Sequence, residues 1–267
     1  MSKTVIITGG SSGIGQACAL EYGSKGYNVV FTGRNEERIK ETEALLSEKG
    51  VAHKSLKVDA ASEEGAKEVI DATIEAYGSI DVLICNAGIA MRALFEDLDL
   101  AVFEKVMDIN LMGSVYYTKY ALPHLLQSKG TIVAVSSING YRGTPARTAY
   151  TASKYAMAGF FEALRTEIMY RDVHVLVVSP GFTSSNIRNT ALTADGKIQG
   201  ESPRDEGKMM TSEQVAQAIY KGDVKKKRDL VLTTEGKLAV FLNKWLPSMM
   251  DKIVYKVMAK EPDSPLK

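Results

Sequence analysis

The chain has 267 residues, 45% of them hydrophobic, and a formal net charge of +1. This length suffices for one large α/β domain with a substantial core, and the balanced charge gives no electrostatic reason to expect a nucleic acid as partner. The two cysteines, Cys18 and Cys85, lack the spacing of metal ligands, and the three histidines are widely separated. We therefore expect reduced, buried thiols and no bound metal. Because the chain begins without an apolar targeting segment, we also expect a cytoplasmic protein.

Short apolar segments rich in β-branched residues alternate with amphipathic segments along the chain. The apolar segments predict strands, and their successive apolar positions are typical of a parallel sheet buried on both faces. The predicted strands are 4–8, 28–32, 53–58, 80–85, 130–136, 173–179 and 229–234. The predicted helices are 13–25, 35–49, 62–77, 100–127, 148–171 and 211–222. This alternation predicts one Rossmann-type domain over residues 1–267, with a doubly wound, mostly parallel seven-stranded sheet between two layers of helices.

Two segments fall outside the alternation. Residues 181–210 are polar and rich in glycine, and a loop of that length inside one domain is usually a lid or substrate loop, with disorder as the alternative. Residues 235–267 carry apolar residues at helical spacing together with lysines, and Pro247 is expected to divide them into two helices. This amphipathic C-terminal extension could cover the substrate cleft, form an oligomer interface or lie on a membrane surface.

The first strand leads directly into the glycine-rich sequence "TGGSSGIG" at residues 8–15, and a helix follows. This context predicts a dinucleotide site, because amide groups at a helix N-terminus bind a pyrophosphate. Gly9 is expected to allow the sharp turn, Gly13 the close approach of the phosphate, and Gly15 the packing of the helix on the strand. The residues expected to contact the cofactor here are Gly9, Ser11, Ser12, Gly13, Ile14 and Gly15.

The end of the second strand bears on which dinucleotide is bound. Sites for NAD place an acidic residue there to hold the ribose hydroxyls. Here Gly33 takes that place and Arg34 follows it, and a guanidinium suits a 2′-phosphate. Asn35 is predicted to cap the next helix, which puts the competing candidates Glu36 and Glu37 into its first turn. The sequence therefore favours NADP(H), with NAD(H) as the alternative.

Three positions in the second half of the chain have the side chains of a reactive site. Tyr150 and Lys154 lie four residues apart at the start of a predicted helix, although chance also produces such a pair in a chain with 12 tyrosines. Ser137 follows the fifth strand, at the end of the sheet where ligands bind. Asn110 lies inside a predicted long helix, where asparagine is unfavourable unless its amide has another partner.

In order and spacing, these residues resemble the short-chain dehydrogenase/reductase family, in its compact single-domain branch. The matching elements span residues 4–185 and are "TGGSSGIG", "NAG" at 86–88, Asn110, Ser137, Tyr150 with Lys154, and "PG" at 180–181. The resemblance implies that Tyr150 is the proton donor in reduction and the base in oxidation. Lys154 would lower the pKa of Tyr150 and bind the nicotinamide ribose, and Ser137 would hold the substrate oxygen. Asn110 would hold a water molecule in a proton relay to solvent.

The resemblance also assigns further cofactor contacts. Asp59 would bind the adenine; Asn86, Ala87 and Gly88 would line the adenosine side; and Pro180, Gly181 and Thr183 would bracket the nicotinamide. Two departures from the family pattern occur. Ser12 stands where NADP-specific relatives often carry a basic residue, which weakens the NADP(H) prediction without reversing it. Cys85 replaces the first asparagine of the usual "NNAG".

The C-terminal segments are similar to those of membrane-associated reductases that act on steroids, retinoids and other lipophilic carbonyls. Together, the resemblances imply an NADPH-dependent carbonyl reductase, or alcohol dehydrogenase, that acts on a lipophilic ketone or secondary alcohol. They also imply a homodimer or homotetramer, with peripheral membrane contact through the C-terminal segment. The alternatives are an NAD-dependent alcohol dehydrogenase of the same fold and a non-catalytic protein that senses dinucleotides.

Overall fold

The computed structural model describes residues 2–185, 187–200, 207 and 209–266. Within this part of the chain, seven strands form one sheet whose neighbours all pair in parallel, and two short strands form a separate parallel pair. The strands are β1 (Thr4–Ile7), β2 (Asn28–Gly33), β3 (His53–Lys57), β4 (Val82–Cys85), β5 (Thr131–Val135), β6 (His174–Ser179), β7 (Thr183–Ser184), β8 (Met210–Thr211) and β9 (Asp229–Val231). The order of the large sheet is β3-β2-β1-β4-β5-β6-β9. The winding reverses between β1 and β4, and ligands of such sheets bind at the carboxyl ends of the strands near the reversal.

Helices cover both faces of this sheet. They are α1 (Gly13–Ser24), α2 (Glu36–Glu48), α3 (Glu63–Tyr77), α4 (Leu100–Met107), α5 (Gly113–Ser128), α6 (Thr148–Glu167), α7 (Ser212–Val224), α8 (Thr234–Trp245) and α9 (Pro247–Ala259). Because successive strand residues point to opposite faces, one face packs against α3, α5 and α6 and the other against α1, α2 and α7. Cys18 and Cys85 are free and buried in these two layers. The predicted doubly wound Rossmann-type fold is confirmed.

The segment predicted as one helix over 100–127 contains an irregular turn. α4 ends at Met107, Asp108–Met112 form a π-helical turn, and α5 continues from Gly113. Turns of this kind are rare and frequently occur at functional sites. A Cβ on Gly113 would lie 2.3 Å from the carbonyl oxygen of Ala60, so the close packing of this helix on the loop after β3 requires glycine.

Two other predicted boundaries are wrong by a few residues. α6 ends at Glu167 rather than at residue 171, because the chain turns toward β6 through Asp172, whose φ is +58°. β9 ends at Val231 rather than at residue 234, because Thr233 accepts a hydrogen bond of 3.0 Å from the amide of Gly236 and thereby caps α8.

The C-terminal segment forms two helices, and Pro247 is the first residue of the second, as predicted. α8 and α9 contact each other and expose large apolar side chains, which are Leu238, Phe241, Trp245, Leu246, Met249, Ile253, Tyr255 and Val257. The predicted loop 181–210 includes residues 186, 201–206 and 208, which lie outside the described residues, as does the end of the predicted extension at residue 267. Among the helices of the described chain, none combines the length and the hydropathy that a membrane crossing requires.

Candidate active site

The turn between β1 and α1 depends on glycine at two positions. Gly9 has φ +65°, and a Cβ there would lie 3.0 Å from the Cα of Ala87. A Cβ on Gly15 would lie 2.2 Å from the carbonyl oxygen of Gly9, so α1 packs on the turn only because that atom is absent. Ser12 precedes α1 and makes no side-chain capping hydrogen bond within the described chain. The first amides of α1 are therefore available to an anion, and the turn fits a dinucleotide pyrophosphate.

Thr8, which the sequence analysis missed, ties this turn to the segment after β4. Its hydroxyl oxygen accepts hydrogen bonds from the amides of Asn86 (2.9 Å) and Ala87 (3.0 Å). The side-chain amide of Asn86 donates to the carbonyls of Thr8 (3.0 Å) and Gly9 (3.2 Å). Asn86 thus stabilises the turn, and its contact with adenosine stays a prediction. The residue pattern around Thr8 does not indicate this role.

At the end of β2, the position of the acidic residue in an NAD-type site is packed against Ser11. A Cβ on Gly33 would lie 2.5 Å from the hydroxyl oxygen of Ser11, which occupies that volume. Arg34, the next residue, is exposed. Asn35 caps α2 as predicted, because its side chain accepts a hydrogen bond of 2.9 Å from a backbone amide of the first turn.

The glutamates that compete for the ribose lie in the first turn of α2. Glu36 pairs with Lys40 and Lys57, each at 3.3 Å, and these hydrogen bonds and charges hold the pKa of its carboxyl below the ordinary value. Glu37 is exposed on the same turn. Glu36 is therefore engaged by two lysines, and the contact of Arg34 or of a glutamate with the cofactor stays a prediction.

The remaining predicted cofactor residues follow the ends of β3 and β6, on opposite sides of β1 in the sheet order. Asp59 is exposed, and its carboxylate accepts a backbone amide two residues ahead at 3.0 Å. The carbonyl of Pro180 accepts the amide of Ile138 at 3.2 Å. Thr183 is buried and donates its hydroxyl to the carbonyl of Gly181 at 3.3 Å. These bonds fix the segment after β6 beside the end of β5.

Tyr150 and Lys154 lie one turn apart near the start of α6. Nζ of Lys154 lies 5.7 Å from the ring centroid of Tyr150 and donates a hydrogen bond of 2.9 Å to the carbonyl of Val135, the last residue of β5. Lys154 is 3% exposed, and desolvation lowers its pKa to about 8. A lysine on the protein surface would retain an ordinary pKa, so the burial of this ammonium indicates a functional position.

Ser137 follows β5 and faces the phenol of Tyr150. Burial raises the pKa of Tyr150, while a hydrogen bond between the two hydroxyls and the charge of Arg147 act in the opposite direction. This rise in the pKa of Tyr150 is opposite to the lowering predicted from Lys154. In the protein without its cofactor, removal of the phenol from water has the largest effect on this pKa. The hydroxyl oxygen of Ser137 also accepts the amide of Asn139 at 3.2 Å. The structure brings Ser137, Tyr150 and Lys154 together at the carboxyl end of the sheet.

Asn110 reaches this group from the π-helical turn and is fully buried. Its side chain accepts the amide of Ile89 (2.8 Å) and donates to the carbonyl of Ile89 (3.0 Å) and to the hydroxyl of Ser153 (2.9 Å). A Cβ on Gly88 would lie 3.1 Å from Oδ1 of Asn110 and 3.6 Å from Nζ of Lys154. Asn110 therefore joins the segment after β4 to α6, and its role in a proton relay stays a prediction.

Comparison with known proteins identifies the family. A profile described as short chain dehydrogenase matches residues 3–195. The chain belongs to the short-chain dehydrogenase family. It is 36% identical over 271 residues to dehydrogenase/reductase SDR family member 7B of Rattus norvegicus, which covers 98% of this chain and 83% of that protein. It is 38% identical over 187 residues to 11-beta-hydroxysteroid dehydrogenase 1A of Arabidopsis thaliana, over 69% of this chain and 53% of that one.

Among solved structures, a 3-ketoacyl-ACP reductase from Sinorhizobium meliloti 1021 superimposes with a TM-score of 0.78 at 30% identity, covering 88% of this chain and 99% of that one. This short-chain dehydrogenase is thus an NAD(P)-dependent oxidoreductase that acts on a small molecule. The match to family member 7B includes the C-terminal helices, and hydroxysteroid dehydrogenases are among the relatives. The predicted resemblance to the steroid-type group of the family is confirmed.

Proposed function

We propose that this short-chain dehydrogenase is an NADPH-dependent carbonyl reductase, acting in reverse as an alcohol dehydrogenase, on a lipophilic ketone or secondary alcohol. The observation that carries the proposal is the meeting of Ser137, Tyr150 and buried Lys154 at the carboxyl end of β5. The turn between β1 and α1, which fits a pyrophosphate, lies at the same end of the sheet. This combination supports hydride and proton transfer at one carbon and its oxygen.

The protein's part in the reaction is to bind the oxygen and move its proton. In reduction the phenol of Tyr150 donates a proton to the substrate oxygen, and in oxidation the phenolate receives it. The hydroxyl of Ser137 donates a hydrogen bond to the same oxygen and stabilises the negative charge that develops there. The ammonium of Lys154, one turn along α6, stabilises the phenolate. The nicotinamide cofactor, when bound, supplies or accepts the hydride.

The preference for NADPH is supported by the end of β2. A carboxylate side chain at position 33 would have to displace Ser11, and Glu36 is held by two lysines. Arg34 is exposed at this point and can pair with a 2′-phosphate through charge-assisted hydrogen bonds. If NADH bound as tightly as NADPH, the alternative of an NAD-dependent alcohol dehydrogenase would replace this assignment.

The lipophilic substrate is supported by the relatives of this chain, which include 11-beta-hydroxysteroid dehydrogenases. We further propose a cytoplasmic location and a homodimer or homotetramer. Peripheral contact of α8 and α9 with a membrane also stays a prediction, although the apolar side chains exposed on these helices are compatible with it.

The direct test is oxidation of NADPH by the purified protein over a panel of lipophilic ketones, including steroid ketones, followed by absorbance. We expect turnover with at least one of them and a lower kcat/KM with NADH. Tight binding of NADPH without turnover on any ketone would favour the alternative of a non-catalytic dinucleotide sensor.

A further inference from the structure

The chain after α9 returns to the body of the protein and becomes buried. Val257 is 48% exposed, whereas Met258, Glu261 and Ser264 are between 4% and 7% exposed. Glutamate is rarely buried to this degree unless its charge is paired. We call residues 258–264 the tail segment; its buried carboxylate is that of Glu261.

The carboxylate of Glu261 lies between two arginines of the body. Its Oε2 is 3.2 Å from Nη2 of Arg147 and 3.7 Å from Nη2 of Arg92. The same Nη2 of Arg92 donates a hydrogen bond of 2.7 Å to the carbonyl of Pro262. The side chains of Glu261, Arg92 and Arg147 are 4%, 10% and 14% exposed, respectively. Solvent therefore screens these charges little, and the carboxylate stabilises both guanidinium groups.

Arg147 fixes the start of the helix that carries the phenol. It directly precedes α6, and its carbonyl accepts the amide of Thr151 at 2.8 Å. The residue before it, Ala146, has φ +59°, a conformation that needs support from its surroundings when the residue is not glycine. Tyr150 follows three positions after Arg147, so a shift of Arg147 moves the phenol.

Arg92 fixes the loop after β4 on the other side of the cluster. Its amide donates to the carbonyl of Leu192 at 2.9 Å, and the amide of the next residue, Ala93, donates to the carbonyl of Ala146 at 3.1 Å. Glu261 thus acts on three segments that meet beside the catalytic group: the loop after β4, the start of α6 and the segment after β7. The last of these belongs to the loop 181–210, which the sequence predicts to be a lid or substrate loop.

We propose that Glu261 is a positioning residue of the reductase, which holds Arg147 and Arg92 and thereby sets the start of α6 and the adjoining wall of the substrate cleft. The proposal rests on the proposed function, since positioning is measured on turnover of a ketone. The turn between β1 and α1, which we call the phosphate turn, lies outside the cluster, so its contact with the pyrophosphate of NADPH does not depend on Glu261.

The test compares Glu261→Gln and Glu261→Asp with the wild-type protein for a ketone that the panel identifies. We expect Glu261→Gln to lower kcat/KM for the ketone at least ten-fold, with a higher KM, and to leave the Kd of NADPH within two-fold. Glu261→Asp keeps the charge and is expected to recover part of the loss. The matched control is Asp172→Asn, which removes the carboxylate of the exposed pair of Asp172 with Lys129 (2.9 Å) and is expected to change nothing.

A purely structural role would lower thermal stability and the active fraction but leave KM unchanged, and that result would overturn the proposal. Should Glu261→Gln fold poorly, the double variant Glu261→Gln with Arg92→Gln removes one buried cation together with the carboxylate. We expect it to regain stability but not kcat/KM, and recovery of both would overturn the proposal.

Amide hydrogen exchange supplies a readout that needs no turnover. In Glu261→Gln, the amides of Ala93 and Thr151 are expected to exchange faster, and those of β1 are not. Unchanged exchange at Ala93 and Thr151 would overturn positioning. If the wild-type protein turned over no ketone, the proposed function would fail while the exchange data still reported on the cluster.

Discussion

The phosphate turn and the tail segment lie on either side of Ser137, Tyr150 and Lys154, but different interactions fix the two regions. In the turn, the deciding contacts are steric contacts of the backbone, such as the 2.2 Å that would separate a Cβ on Gly15 from the oxygen of Gly9. In the tail segment, the deciding contacts are charges far apart in the chain, since Glu261 and Arg147 are 114 positions apart. Steric contacts of the backbone fix the first region, and contacts between charged side chains fix the second.

This difference predicts that the two regions fail in different ways. A substitution of glycine in the turn places a Cβ where backbone atoms already lie, so cofactor binding and stability fall together. A substitution in the tail segment leaves a buried charge without its partner, so the cleft changes while the turn stays intact. Ser137 and Tyr150 belong to neither region, and a substitution that removes only the proton donor should spare cofactor binding.

The largest expected effect comes from removing the proton donor, which lies in neither region. Tyr150→Phe removes the proton donor and should lower kcat/KM for a ketone by about 10²–10⁴-fold, the usual contribution of general acid–base catalysis. The Kd of NADPH should stay within two-fold. Tyr170→Phe, at a position that is 90% exposed, is the matched control and should match the wild type. Steady-state kinetics measure both, and activity within three-fold of wild type in Tyr150→Phe would exclude the proposed acid.

The next effect tests the steric account of the turn. Gly15→Ala places a Cβ 2.2 Å from the oxygen of Gly9, so α1 must move. We expect an increase in the Kd of NADPH of at least about ten-fold and a loss of about 1–3 kcal/mol in the free energy of unfolding, as for overpacking in a core. Gly159→Ala, in α6 with nothing within 4 Å of the new Cβ, should instead stabilise by up to about 1 kcal/mol. Equal affinity in Gly15→Ala and wild type would contradict the account.

The third prediction concerns the buried ammonium of Lys154, which lies between the phosphate turn and the tail segment. The pKa of Lys154 is lowered from 10.5 to about 8, so the unfolded chain binds this proton more tightly than the folded protein. The charge therefore opposes folding below pH 8, and this penalty disappears as the pH rises from about 8 to 10.5. Lys154→Met should stabilise the protein at pH 7 by about 3 kcal/mol while abolishing turnover, since one pKa unit corresponds to about 1.4 kcal/mol.

Urea unfolding of wild type and Lys154→Met at pH 7 and pH 10 measures this difference. The two proteins should approach the same stability at the higher pH, since groups common to both cancel in the comparison. A difference that stayed constant with pH would show that the lysine is not desolvated in the folded protein.

Sequence reasoning succeeded where the deciding interactions are local. The periodicity of apolar residues predicted the order of the strands and helices, and Asn35 and Pro247 marked helix starts because capping depends on a few residues. The glycine spacing located the turn for the same reason. The π-helical turn around Asn110 could not be predicted, because one extra residue in a helical turn barely changes the periodicity.

The contacts that join distant segments of the chain could not be predicted from the sequence. Nothing in the pattern indicates that Thr8 accepts the amides of the segment after β4, or that Glu261 pairs with Arg92 and Arg147. The rise in the pKa of Tyr150 follows from burial, which depends on packing from several elements, whereas the spacing to Lys154 is visible in the chain. Residue types and spacing thus indicate the chemistry, and the fold decides the electrostatics.

The smallest expected effect tests whether local residues also decide the choice of cofactor. Arg34 is exposed, so its pairing with a 2′-phosphate is partly screened by solvent and is worth about 1–2 kcal/mol. Arg34→Ala should therefore weaken NADPH binding by roughly five- to thirty-fold and leave NADH binding unchanged, which makes NADH the internal control. Fluorescence titration at low and high salt measures both, and the loss for NADPH should shrink as salt rises. An equal loss for both cofactors would instead mean that Arg34 supports the fold of the turn, and cofactor choice would then need another residue.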